Sequence, residues 1–217
     1  MHVTKKIKTC LLAAILAISG TSAATAGKVL QFDDLSDFSA VDLTTALNLS
    51  GDFTVEYWFL TDRATNWRFI NSSAHYRYSI GHASATRISL WSSDVSIDLS
   101  EAFETGIWQH IAVTRSGDNV KIYRQGVEVG TGSWSGELRI NRLGGRSGST
   151  GWTSFAGRAA EVRCWDHART PKQIKLYQYQ GLTGTEAGLL GYWPLNEGSG
   201  TTINDWSSGE NAGTLVI

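Results

Sequence analysis

The chain is poor in several residue types, and each shortage removes a class of protein. Two cysteines, two prolines and one methionine in 217 residues exclude a disulfide framework. His75, His82, His110 and His167 fall in no metal-ligand spacing, and no serine nucleophile elbow occurs. No stretch approaches the roughly 20 apolar residues that a membrane-spanning helix needs, so stable membrane insertion is not expected. A formal net charge of −1 lacks the basic excess that would point to nucleic acid. Internal repeats of solenoid or propeller period are absent.

What is present begins with a leader. Lys5, Lys6 and Lys8 precede an apolar stretch over residues 10–18, and Ala24-Thr25-Ala26 supplies small residues for cleavage. We read a secretion signal over 1–26 and one domain over 27–217, giving a secreted or cell-surface protein with a leader of bacterial style. Cys10 lacks the small-residue setting of a lipid-anchored cysteine. Cleavage removes three lysines and no acids, so 16 Lys+Arg then face 20 Asp+Glu, a balance of −4. Cys164 becomes the sole thiol. It alternates with Ala160 and Val162, which predicts burial on an apolar strand face; pairing between two chains is the alternative.

The 23 glycines punctuate many short strands. In residues 108–129, WQHIAVTRSGDNVKIYRQGVEV, two period-2 segments meet at Ser116-Gly117-Asp118-Asn119 and a second turn follows at Gln125-Gly126, which predicts a β-meander. Phe53, Val55, Tyr57 and Phe59 share one strand face, with Thr54, Glu56, Trp58 and Leu60 on the other. Large apolar groups on both faces predict a central strand with a covered or ligand-facing second face. Residues 76–80 and 88–91 predict a hairpin closed near 82–86. Val95, Ile97 and Leu99 predict a half-buried strand. Thr170-Pro171 is the one convincing helix start, with Ile174 and Tyr177 on one face and an end near Tyr179. The expectation is an all-β protein, an antiparallel two-sheet sandwich with one short helix near the C-terminus.

Several segments resemble, in order, the pattern of laminin G-like and pentraxin-like domains of the concanavalin A-like lectin/glucanase superfamily. They are VLQFDD at 29–34, FTVEYWF at 53–59, the meander at 108–129, EVRCWDHART at 161–170 and LGYWPLNEGSG at 190–200. The resemblance implies a jelly roll with its helix at the edge of the sandwich and its termini together, so that residues 214–217 lie beside 29–32. It also implies calcium held by oxygen ligands at one rim, for which Asp33, Asp34, Asp37 and Asp205, next to Asn204, are the candidates. Ala160 and Gln125 stand where the family often has Asp and Asn, which argues against an inherited metal site. Solvated turn carboxylates are the plainer reading of these acids.

Hydrolases of the superfamily need two carboxylates on one strand face, and no strand here carries the Glu, Asp, Glu alternation. Glu161 and the pair Asp94 and Asp98 are the nearest approaches, so the chain is read as no enzyme. The aromatic signal is stronger. Trp67, Trp152 and Trp206 lie in Gly-, Ser-, Thr- and Asn-rich segments that read as loops, while Trp58, Trp108, Trp165 and Trp193 fall at core positions of the family pattern. Flat rings suit the C–H faces of sugars, with nearby polar groups to orient them. The candidate ligand residues are Trp67, Tyr76, Arg77, Tyr78, Arg146 and Trp152. The function read from this is noncatalytic binding of glycans or cell-surface glycoconjugates. The rival is a structural or adhesive protein that forms homo-oligomers or polymers through its sandwich edges.

Overall fold

A computed structural model of the chain describes residues 10–11, 28–32, 40–72, 78–90, 95–145 and 153–216. These form, in chain order, β1 (Cys10–Leu11), β2 (Lys28–Phe32), β3 (Ala40–Leu49), β4 (Phe53–Leu60), β5 (Trp67–Asn71), β6 (Ile80–Ser84), β7 (Arg87–Leu90), β8 (Val95–Asp98), β9 (Gln109–Ser116), β10 (Asn119–Arg124), β11 (Val127–Ser133), β12 (Leu138–Gly144), β13 (Thr153–Ser154) and β14 (Gly157–Trp165). Helix α1 (Pro171–Tyr177) follows, then β15 (Leu189–Trp193), β16 (Thr202–Ile203) and β17 (Gly213–Val216).

Two sheets face one another. The first runs β1-β2-β14-β4-β9-β10-β11, with β15 also on β14; the second runs β16-β17-β3-β12-β5-β6-β7-β8, with β13 beside β5. The expected meander is β9, β10 and β11, antiparallel throughout. Its second turn places Gln125 at φ 51° and Gly126 at φ 75°, the paired left-handed conformation that tight hairpins favour. A Cβ on Gly126 would lie 2.8 Å from the Lys175 Cβ, so the turn needs glycine in order to rest against α1.

Alternation decides the core. Val41, Val55, Tyr57, Phe59, Phe69, Ile88, Ile111, Val113, Ile122 and Ile140 are buried between the sheets, where apolar burial supplies the main drive to fold. Phe32, Phe69 and Phe155 meet edge to face, with ring centres 5.1–5.5 Å apart. One side of the sandwich is closed, because Ser100 N–H donates to the Val129 carbonyl at 2.7 Å. Gly130 and Gly132 of β11 let its backbone approach Ile97 and Leu99. Cys164 is fully buried in β14, as its alternation predicts.

The placement expected for the last strand is corrected. β17 pairs with β3 and β16, whereas β2 pairs with β1 and β14 in the other sheet. β2 and β17 do approach across the open side of the sandwich. Val29, Leu30, Leu195, Ile203 and Leu215 line a small depression there.

Candidate functional site

The outer face of the second sheet is polar, with small residues beside two arginines. Register places Ser154, Arg68, Gly81, Ser89 and Ser96 in one row across β13, β5, β6, β7 and β8. Their neighbours along each strand, Trp67, Phe69, Ile80, His82, Ile88 and Ile97, point into the core, so this row points outward. Ser89 and Ser96 share a hydrogen bond of 2.9 Å. Beside the row, Arg142 of β12 grips Asp42 of β3 through Nε and Nη2, at 2.5 and 2.6 Å, the fork geometry arginine offers a carboxylate. Arg68, Asn71, Ser79, Ser89, Arg142 and Ser154 are all buried.

Two stretches rich in candidate residues leave the described chain from this place. Ser72 and Tyr78 flank residues 73–77, while Gly145 and Thr153 flank 146–152. The two exits are adjacent, because Asn71 Nδ2 donates to the Gly144 carbonyl at 2.9 Å and Arg142 pairs with Asn71 in register. Tyr76, Arg77, Arg146 and Trp152 themselves lie outside the described residues. Tyr78 is described: it stands half-buried at φ 77° just before β6, an unusual conformation for a bulky residue.

Trp67 is a correction. It opens β5, is 2% exposed, and stacks on His82 at 3.5 Å between ring centres; its indole N–H donates to the Arg63 carbonyl. The polar run before it reads as loop, yet the alternation of Trp67 and Phe69 around Arg68 is the signal of an inward strand position. Trp58, Trp165 and Trp193 are buried as expected, Trp108 is half-buried, and Trp206 is 50% exposed. Burial pushes the His82 imidazole well below its usual range, so it stays neutral and shares a 3.1 Å hydrogen bond with the Tyr57 hydroxyl.

The outer face of the first sheet carries a cluster that sequence reasoning missed. Tyr192, Arg163, Glu56, Ala112 and Tyr123 form its row across β15, β14, β4, β9 and β10. Glu56 is 0% exposed; its Oε1 accepts from Arg169 at 2.7 Å and from the Trp165 indole at 3.0 Å. Arg163 donates to Glu161 at 2.6 Å and to the carbonyls of Tyr177 and Gln180. Helix α1 is laid over this row. Thr170 and Gln173 close a capping box at its start, satisfying backbone donors the helix leaves open, and Ile174 packs on Ala112 and Tyr123. Burial, then the charges of Arg163 and Arg169, hold His110 well below its ordinary range. The Glu56 carboxylate 3.6 Å away does not reverse this, because the two arginines already balance it.

Of the metal candidates, Asp205 alone lies among the described residues. Asp205 Oδ1 accepts from the backbone N–H groups of Tyr192 and Ser207, and Oδ2 from that of Asn211, so its carboxylate organises a turn and does not fit an open calcium ligand. Asp33, Asp34 and Asp37 lie outside the described residues. Among the described residues no group of three or more His, Cys, Asp or Glu side chains could hold a metal ion, and no helix is long and apolar enough to cross a membrane.

A laminin G-type sequence profile, described as concanavalin A-like lectin/glucanases superfamily, matches residues 35–175. The chain belongs to that superfamily. Among solved structures, this superfamily member is similar to a Bacteroides ovatus protein to which carbohydrate binding has been ascribed, with 19% identity and a TM-score of 0.63 over 91% of the chain. It spans 63% of that structure's length. It is also similar to the native heptameric SAP-like pentraxin of Limulus polyphemus, with 16% identity and a TM-score of 0.58, covering 86% of this chain and 93% of that one. At these identities the likeness establishes the shared fold. No curated protein matches the chain by sequence.

Proposed function

We propose that the chain is a noncatalytic glycan-binding module, working outside the cell, that takes its ligand at the outer face of the second sheet. The observation that carries this reading is the adjacency of the two exits, Ser72 beside Gly144 and Gly145, on a face of serine, glycine and arginine. Chain segments holding Tyr76, Arg77, Arg146 and Trp152 depart from one spot. An indole or phenol ring supplies a platform for the C–H face of a sugar, and guanidinium groups donate to its hydroxyls. Tyr78 belongs to the same exit. The superfamily, and the carbohydrate binding ascribed to the Bacteroides ovatus protein, support the same ligand class.

Glycoside hydrolysis needs a carboxylate pair flanking the substrate bond. Glu56 is sealed beneath α1 and held by Arg169, which supports a noncatalytic reading. Calcium is assigned no part at Asp205; the acidic run Asp33, Asp34 and Asp37 is addressed by a chelator.

The test is a glycan array probed with residues 27–217, in calcium and in chelator, after light scattering has fixed the assembly state. Binding that disappears in a folded Trp152→Ala variant is the expected result. No binding in either condition would overturn the reading, and polymers in that sample would make self-assembly its replacement.

A further inference from the structure

We infer a second, independent sugar-stacking site at Trp206, on the opposite side of the sandwich, selective for neutral hexopyranose units. Trp206 is a half-exposed indole on a braced support. Its backbone N–H donates to the Tyr192 carbonyl at 2.8 Å, and its ring meets the buried Tyr192 ring nearly edge-on, 78° between planes and 6.1 Å between centres. The three backbone bonds to Asp205 fix the turn that carries it. The neighbouring loop is fixed in the same manner, since Glu186 accepts from the Thr183 and Gly184 backbone N–H groups and from the Thr183 hydroxyl. Gly184, at φ 89°, lies so close to the Trp206 carbonyl that no Cβ fits there. The exposed ring is therefore held in place before any ligand arrives, which lowers the entropy lost on binding.

Its surroundings define the ligand. The Trp206 indole N–H has no partner among the described residues, so the ring offers a free donor beside a flat apolar face. Tyr192 links it to Glu161, whose Oε2 accepts from both the Tyr192 hydroxyl, at 2.8 Å, and Arg163. Glu161 sits at a bulge of β14 with φ 56°. Bulges of this kind re-aim a side chain, and here the carboxylate keeps 28% of its surface in solvent. Its Oε1 remains an acceptor for a sugar hydroxyl. The two turns that brace the ring carry the carboxylates of Asp205 and Glu186, while Arg163 is buried over the face of the Tyr192 ring. This rim accepts hydroxyls and repels carboxylated or sulfated sugars.

Tyr192 belongs to the outward row of the first sheet, so Trp206 faces away from the site proposed above. The Trp206 site stands without that reading; only the consequence that the molecule bridges two glycan chains rests on it. Cross-linking then follows from geometry, with avidity on surfaces dense in ligand.

The experiment follows the Trp206 indole N–H resonance, assigned with Trp206→Phe, while Trp152→Ala protein is titrated with neutral glucan and galactan oligosaccharides, and separately with a uronic acid oligomer. A saturable shift with a neutral sugar, absent with the uronate, is expected. Trp206→Ala should weaken that binding about tenfold, the scale of one lost aromatic stack, and Trp206→Phe should restore part of it. No shift with any neutral sugar, or an equal shift with the uronate, overturns the inference. An indole shift in a protein whose array binding ignores Trp152→Ala leaves this site standing and removes the other. A silent indole beside array binding that needs Trp152 does the reverse. With both sites active, glycan-coated beads agglutinate with the parent protein and only coat with Trp206→Ala.

Discussion

Each outer face of the sandwich carries one row of side chains across its sheet, and the two rows differ in chemistry. On the first sheet Tyr192, Arg163, Glu56, Ala112 and Tyr123 are roofed by α1 and its flanking turns, and the charges are matched inside the protein. On the second sheet Ser154, Arg68, Gly81 and Ser89 are buried as well and Ser96 is exposed, but Arg68 apart the row consists of serine and glycine. Charge that can be neutralised internally seals a surface. The second row is small and polar instead, and the segments that hold the candidate ligand residues leave the described chain beside it.

The sharpest way to break this comparison is Glu56→Ala. It leaves Arg169 and the Trp165 indole without their acceptor and removes the carboxylate 3.8 Å from Arg163 in a buried setting, and should cost about 3–5 kcal/mol in urea denaturation; a loss below about 1 kcal/mol would mean the network does not hold the helix face down. Next comes acid. His82 and His110 stay neutral when folded, but the unfolded chain takes up protons near an ordinary value of about 6.5. The unfolded state then binds more protons, so stability is level above that pH. Below it, stability falls by up to about 1.4 kcal/mol per pH unit for each histidine. Glu56, Arg163 and Arg169 face His110, and Tyr57 faces His82. Urea midpoints at several pH values should show the slope halved in His110→Gln; an unchanged slope would place the acid sensitivity elsewhere.

Thr170→Ala should remove about 1 kcal/mol by opening the capping box, read as a lower midpoint with the urea m-value unchanged. The smallest effect is expected on the other face. Ser96→Ala, which loses only the bond to Ser89, should stay within about 0.5 kcal/mol of the parent. A larger drop would show that the second sheet's row is structural after all.

Local pattern carried much of the fold into view. Period-2 alternation placed the meander, made β4 central and buried Cys164, and Thr170-Pro171 marked the helix. These features depend on neighbours within a few residues. The partner of β17 was not legible, because alternation says which face a strand buries and nothing about which strand lies beside it. The same limit hid the Glu56 cluster: residues 56, 110, 163 and 169 each sit in a stretch that resembles the family pattern, yet only the sheet brings them together. Trp67 was misplaced because the polar residues before it outweighed the alternation after it. Trp206 was legible as a loop aromatic, but its bracing by Asp205 and Tyr192 was not, since it depends on contacts across the turn.

Cys164 lies fully buried in the middle of β14, between β4 and β15, with burial pushing its thiol well above the usual range. In protein comprising residues 27–217, Cys164 is the sole thiol, and a thiol reagent in solution reaches it only when that sheet comes apart. The labelling rate then serves as a clock for opening, turning an otherwise silent sulfur into a built-in gauge of how often the sandwich lets go of its centre.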